Sequence, residues 1–200
     1  MQFEINSRDG WAIPANTAIP PGTEIPAWSD LGESCTLGDD CTLGDDCTLG
    51  DGCTLGDGCT LGAGCTLGAG CEIGAYCKLG DGCEIGVSCT FSAYCKLGAG
   101  CTLGAYCTLG AECPLGAACT LGAECTLGAN TQWLGVTVES WHTLANVDGS
   151  GRLIKIVKHA EGVRVEAGCF QGTLEEFCTR AASEGKDRYV RVISAVAAAI

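Results

Sequence analysis

All of the formal charge of −13 on this 200-residue chain lies in its first 130 residues, which hold 16 acidic and 3 basic side chains against 8 of each in the remainder. A surface of that sign repels phosphate backbones and argues against nucleic-acid binding. No run of about 18 apolar residues is present to span a membrane, and the opening MQFEINSRDGWAIP, with Glu4 and Asp9, lacks the apolar core of an export signal.

Residues 1–10 precede any repeat and read as an N-terminal cap. From residue 11 a six-residue period takes over, plainest in CTLGDDCTLGDDCTLG at residues 35–50. Cysteine stands at 35 and at every sixth position to 125, sixteen times in all. Two places after each comes an apolar residue, from Leu37 to Leu127, with Ile73, Ile85 and Phe91 as the substitutes. Glycine follows in fifteen of the sixteen hexads, and Ser92 is the exception. Upstream, Ile13, Ile19, Ile25 and Leu31 continue the apolar row, with Thr17, Thr23 and Ser29 in the cysteine position. That position therefore asks for a small residue, and sulfur is not obligatory. Downstream, Thr131 and Trp133 keep the register and Glu139 loses it, which bounds the array at residues 11–134.

Within a hexad, Cys–Thr–Leu alternates in, out, in, as a short strand does. Glycine and the next two residues turn a corner, with glycine expected to supply backbone freedom. Three strands and three corners close an 18-residue triangular coil. About twenty-one hexads then make about seven coils, stacked about 4.8 Å apart.

Residues 135–200 read as a separate α+β module of three short strands and two helices. WHTLANVDGSGRLIKIV predicts two strands around a turn at residues 148–151, and GVRVEAG a third. Thr173 and Glu176 form a capping box that opens a helix running to about Ser183. Asp187 is expected to cap the second helix, whose apolar face carries Tyr189, Val192, Ile193 and Val196.

The hexads resemble the hexapeptide repeat of left-handed parallel β-helices, the fold of many acyltransferases. The resemblance implies an all-β, left-handed parallel β-helix followed by the small module. The hand comes from the resemblance alone, since the general rule for parallel crossovers favours the right hand. Related β-helices often trimerise along their faces, so the resemblance also implies a second copy as partner, in a trimer or an end-to-end stack. The segment AGCFQGTLEEF, with the helices after it, resembles the C-terminal module of phage and bacterial hexapeptide-repeat proteins. That likeness implies association with a virion and another virion protein as partner, while the missing export signal leads one to expect synthesis in the cytoplasm.

Residues 18 apart share a face, so Cys35, Cys53, Cys71, Cys89, Cys107 and Cys125 form one inward column, and the other two faces carry five cysteines each. Disulfides up a column would strain the stack, because parallel Cβ atoms about 4.8 Å apart exceed the usual 3.5–4.5 Å. Thiolates would suit soft ions such as Cu(I). However, no histidine lies within residues 1–141, and buried thiolates are costly without compensating charge. Cysteine as a small, protonated hydrophobe between leucines is the reading that remains, with no metal and no cofactor expected. The lack of an export signal and the strict spacing fit a reducing compartment.

Hexapeptide acyltransferases generally use a histidine base from the coils, often beside loop excursions. Here His142 and His159 both follow the array, and no insertion breaks the period. Each reads as a strand residue without partners, so no catalytic residue is assigned. The outward threonine rows suggest ice binding, but Glu72, Lys78, Glu84 and Lys96 interrupt them. The acidic corners Asp39–Asp40 and Asp45–Asp46 read as a solvated surface, short of the six to eight oxygens calcium takes. Tyr76 and Tyr94 fall on one corner and Tyr106 on another, which makes them the candidate surface contact for a glycan or a subunit. The sequence thus points to a non-catalytic structural or attachment protein. The alternatives are an acyltransferase-like enzyme with a subunit-interface site using His142, and a carbohydrate-binding module.

Overall fold

The computed structural model describes residues 3–145, 153–167 and 170–200, in two compact units, residues 1–132 and 133–200. The first unit is a parallel β-helix. Its strands are two or three residues long, such as Thr36–Leu37, Thr54–Leu55 and Glu72–Ile73. They pair in parallel at a register of eighteen, Thr36 with Thr54, Leu37 with Leu55 and Glu72 with Thr90. The strands form sheets of eight, seven and five members. Outward residues are exposed or half-buried, whereas Leu37, Leu55 and Phe91 are 1% exposed. The period-two alternation read from the hexads is therefore realised in every coil.

The stack has about six full turns, fewer than the repeat count suggests, because the hexads of Pro114 and Gln132 add no strand to the five-membered sheet. Proline cannot donate to a ladder. At Pro114 its face keeps only an isolated bridge between Leu97 and Leu115. The Gln132–Trp133 strand then pairs with Val136–Thr137 in a two-stranded sheet of its own. At the other end, Glu4–Ile5 runs antiparallel to Trp11–Ile13 and covers the edge of the first coil. Asn6 holds this hairpin in place by donating to the carbonyl of Trp28 at 2.6 Å and to Asp30 at 2.9 Å.

The recurrent glycine is not where the backbone turns left-handed. Positive φ falls two residues later, at Asp40 (56°), Asp46 (56°), Tyr76 (61°) and Gly82 (68°). What excludes a side chain at the glycine is the preceding coil. A Cβ on Gly80 would lie 2.6 Å from the Ala63 nitrogen and 2.7 Å from the Gly62 oxygen. The expectation of backbone freedom is corrected on this point: the position needs a close approach, and freedom is needed at the end of the hexad.

The acidic corners also hold the coils together. Asp39 accepts from the Asp57 N–H at 2.9 Å, Asp45 from Ala63 at 2.7 Å, Asp57 from Ala75 at 2.6 Å and Asp81 from Ala99 at 2.7 Å. Each carboxylate thereby satisfies a backbone donor one coil further on. Replacing Asp81 by Ala should lower stability by about 1 kcal/mol, since a charge-assisted bond is lost at an exposed corner. Denaturant unfolding of Asp81→Ala beside Asp81→Asn, which keeps an acceptor, measures this.

In the second unit, Ser140–Ala145, Leu153–His159, Gly162–Ala167 and Phe170–Thr173 form a four-stranded antiparallel sheet in chain order. The fourth strand is additional to the three read from the sequence, and Phe170 pairs back onto Ala167. The turn expected at residues 148–151 lies outside the described residues. Helix α1 (Leu174–Ser183) begins at the capping box. Thr173 Oγ1 accepts from the Glu176 N–H at 3.2 Å, and Glu176 accepts from the Thr173 N–H at 2.8 Å. Helix α2 (Asp187–Ala199) is not capped by Asp187. Lys186 is the cap residue, without a side-chain bond, and Asp187 is the first helical residue, where its charge suits the helix dipole. Ile154, Ile156, Val165, Phe177, Tyr189 and Ile193 form the core of this unit. Among the described residues no helix is long and apolar enough to cross a membrane.

Candidate functional site

The chemistry-bearing groups of the β-helix are its thiols and its corner tyrosines. All sixteen hexad cysteines are buried: fifteen are 0% exposed, and Cys125, near the end of the array, is 9% exposed. None is joined to another by a disulfide. Each sulfur donates to the carbonyl of the residue twenty-one positions earlier, a corner oxygen one coil below. The distances are 3.2 Å for Cys35 to Pro14, 3.2 Å for Cys77 to Gly56 and 3.3 Å for Cys113 to Ser92. The hydroxyl substitutes also donate, but to the corner carbonyl three residues earlier in their own coil. Thr17 donates to Pro14 at 2.6 Å, Ser29 to Pro26 at 2.7 Å and Thr131 to Gly128 at 2.9 Å. The position thus asks for a small residue that is also a donor. The choice of Thr and Ser as substitutes, with no Ala or Val, is the sequence signal for it.

This makes a testable ordering at Cys77. Cys77→Ala loses both the sulfur's volume and the bond to Gly56, and should cost about 1–2 kcal/mol. Cys77→Ser keeps a donor and should cost less. Thermal melts of the two variants decide the matter, and the reverse order would mean that burying a hydroxyl there costs more than its bond contributes.

The corner tyrosines occupy the left-handed position of their hexads. Tyr76, Tyr94 and Tyr106 have φ of 61°, 63° and 62° and are 59%, 42% and 63% exposed. Tyr76 and Tyr94 are brought together as a parallel stack, with ring centroids 5.0 Å apart and planes 3° from parallel. Tyr106 is on a different corner column and stacks on no ring among the described residues. The two histidines lie in the second unit: His142 is exposed opposite Ile156, and His159 accepts from the Glu161 N–H at 3.3 Å. No group of three or more His, Cys, Asp or Glu side chains among the described residues is arranged to hold a metal ion.

The bacterial transferase hexapeptide (six repeats) family matches the chain twice, over residues 40–75 and 52–87. Those hexads form parallel coils at an eighteen-residue register. This is a hexapeptide-repeat β-helix protein. No curated protein and no solved structure matches it.

In this hexapeptide-repeat protein each thiol gives its single proton to a corner carbonyl. Burial holds Cys35 and Cys41 above the ordinary thiol range. Neighbouring thiols still bias one another's ionisation, so that Cys95 draws Cys113 down to about 7, while Cys113 and burial push Cys95 up to about 12. Cys65, pulled down by Cys47 but raised by Cys83 and by burial, rests at about 11. Burial favours the protonated form throughout, whereas neighbouring thiols push in both directions and hold Cys53, Cys89 and Cys101, like Cys113, below the ordinary range. Protonated, shielded thiols are poor nucleophiles and poor metal ligands.

Proposed function

We propose that this protein is a non-catalytic structural or attachment component of phage or prophage origin. Its β-helix would serve as a stiff spacer, and its cysteines as packed interior. The observation that carries this reading is the unbroken period. A catalytic site needs convergent polar groups in a concavity, and the hexads run without an insertion or a histidine to build one. Hexapeptide-repeat proteins include acyltransferases as well as structural proteins, so the direct test is a titration with acetyl-CoA. The proposal expects no saturable complex. Saturable binding that is lost in His142→Ala would replace it with an acyltransferase whose site forms between subunits. Self-association, which is common among hexapeptide-repeat proteins, belongs to the same proposal and is read by light scattering.

A second reading, glycan binding, is favoured by the corner tyrosines. A bulky residue in the left-handed region costs about 1–2 kcal/mol, and glycine fills that position at Gly52, Gly58, Gly64 and Gly70. Stacking offsets part of this for Tyr76 and Tyr94, while Tyr106 has no such compensation. Three strained, exposed rings fit a contact with something outside the chain, and flat aromatic faces suit the apolar faces of sugars. A glycan array with the protein and with a Tyr76→Gly/Tyr94→Gly/Tyr106→Gly variant tests it. Retained binding in the variant would exclude the tyrosines.

A further inference from the structure

The second unit contains a cavity of about 270 Å³ that none of the foregoing uses. Its apolar wall is three aromatic rings. Phe170 meets Phe177 edge to face at 5.2 Å, and Phe177 meets Tyr189 at 6.2 Å. Tyr189 is 2% exposed, and its hydroxyl has no hydrogen-bond partner. A buried hydroxyl without a partner is unfavourable and uncommon in folded proteins. It is explained where a ligand supplies the missing bond.

The polar part of the lining is Arg180, Glu184 and Lys186. Glu184 accepts from Arg180 Nε at 3.1 Å and from Lys186 Nζ at 2.6 Å, so two cations share one anion and an excess positive charge remains. The terminal guanidinium nitrogens of Arg180 have no partner among the described residues. The guanidinium lies 5.9 Å over the Phe170 ring, and the Lys186 ammonium 6.0 Å over the Tyr189 ring. The cations are thereby held beside the aromatic wall. An apolar cavity of about 150 Å³ admits a benzene ring, so this one has room for a ring and an anionic substituent.

We infer that this cavity is a binding site for a small aromatic monocarboxylate. The ring packs against Phe170 and Phe177, the carboxylate meets the free donors of Arg180 and Lys186, and a polar ring substituent meets the Tyr189 hydroxyl. The inference is independent of the structural reading of the β-helix and of the tyrosine corners.

The test is calorimetric or NMR titration of the full chain with 4-hydroxybenzoate, with 4-hydroxybenzamide as the uncharged control. The expected result is saturable one-to-one binding with a dissociation constant of about 1 mM or lower. The amide and the exposed-residue variant Arg180→Gln should each bind at least about tenfold more weakly. Tyr189→Phe should melt no lower than the parent, because the hydroxyl it removes has no partner, and should also bind more weakly. No saturation by about 20 mM, a range that covers weak small-ligand affinities, would overturn the assignment. So would equal binding of acid and amide, or binding unchanged in both Arg180→Gln and a stably folded Tyr189→Phe.

Discussion

Gly80→Ala should destabilise the β-helix by about 2–4 kcal/mol, and Gly82→Ala, two residues along the same corner, by only about 1 kcal/mol. The two glycines fail for different reasons. A Cβ on Gly80 meets backbone atoms of the coil below at 2.6–2.7 Å, so the coils must separate, while a Cβ on Gly82 meets nothing within 4 Å and carries only the strain of its φ of 68°. Ser92 shows that the cost at the first kind of position is finite. A side chain stands there, and its N–H still donates to Ile73 at 2.8 Å. Urea unfolding of both variants measures the difference. Equal losses would mean that the glycine row is selected for flexibility.

The second large effect is alkaline unfolding. A thiol whose folded pKa exceeds its unfolded value of 9.0 keeps its proton where the unfolded chain has lost it. Its contribution is therefore complete below pH 9 and is lost as pH climbs toward the folded values, about 11 for Cys65 and about 12 for Cys77. For Cys77 the downward pull of Cys59 is outweighed by the upward push of Cys95 together with burial. Each such thiol contributes a slope of about 1.4 kcal/mol per pH unit in that window. Several thiols acting together make the loss steep. Unfolding free energies measured in reductant should rise between about pH 7 and 9, where the depressed thiols of Cys53 and Cys113 add stability, and fall sharply by about pH 10.5. A level profile through pH 10.5 would show that the thiols do not titrate differently on folding.

The hexad period was enough to read the coil, its eighteen-residue register and the three inward columns, because side-chain direction in a strand depends only on alternation. The cause behind each position was harder to read. The glycine row shows that a side chain is excluded, and both a left-handed backbone and a close approach exclude one. The register between coils separates them, placing the first at Gly82 and the second at Gly80. Asp39 and Asp45 read as solvated charge because their acceptor roles depend on the Asp57 and Ala63 N–H groups eighteen residues away. Pro114 is visible in the sequence as a strand breaker, yet its effect on the last coil needs the neighbouring strands. The aromatic cavity was not legible at all, since Phe170, Phe177 and Tyr189 lie on a strand and two helices whose packing no local pattern states.

Whether the cysteine ladder is reduced packing is read by a thiol titration in native and then denaturing buffer, with metal content measured on the same sample. The sixteen hexad thiols should stay silent in the native protein, leaving at most two of the eighteen cysteines to react, and all eighteen should appear on unfolding without bound metal. Thiols still missing after denaturation, or copper or zinc travelling with the protein, would contradict this and make the ladder a chemical centre.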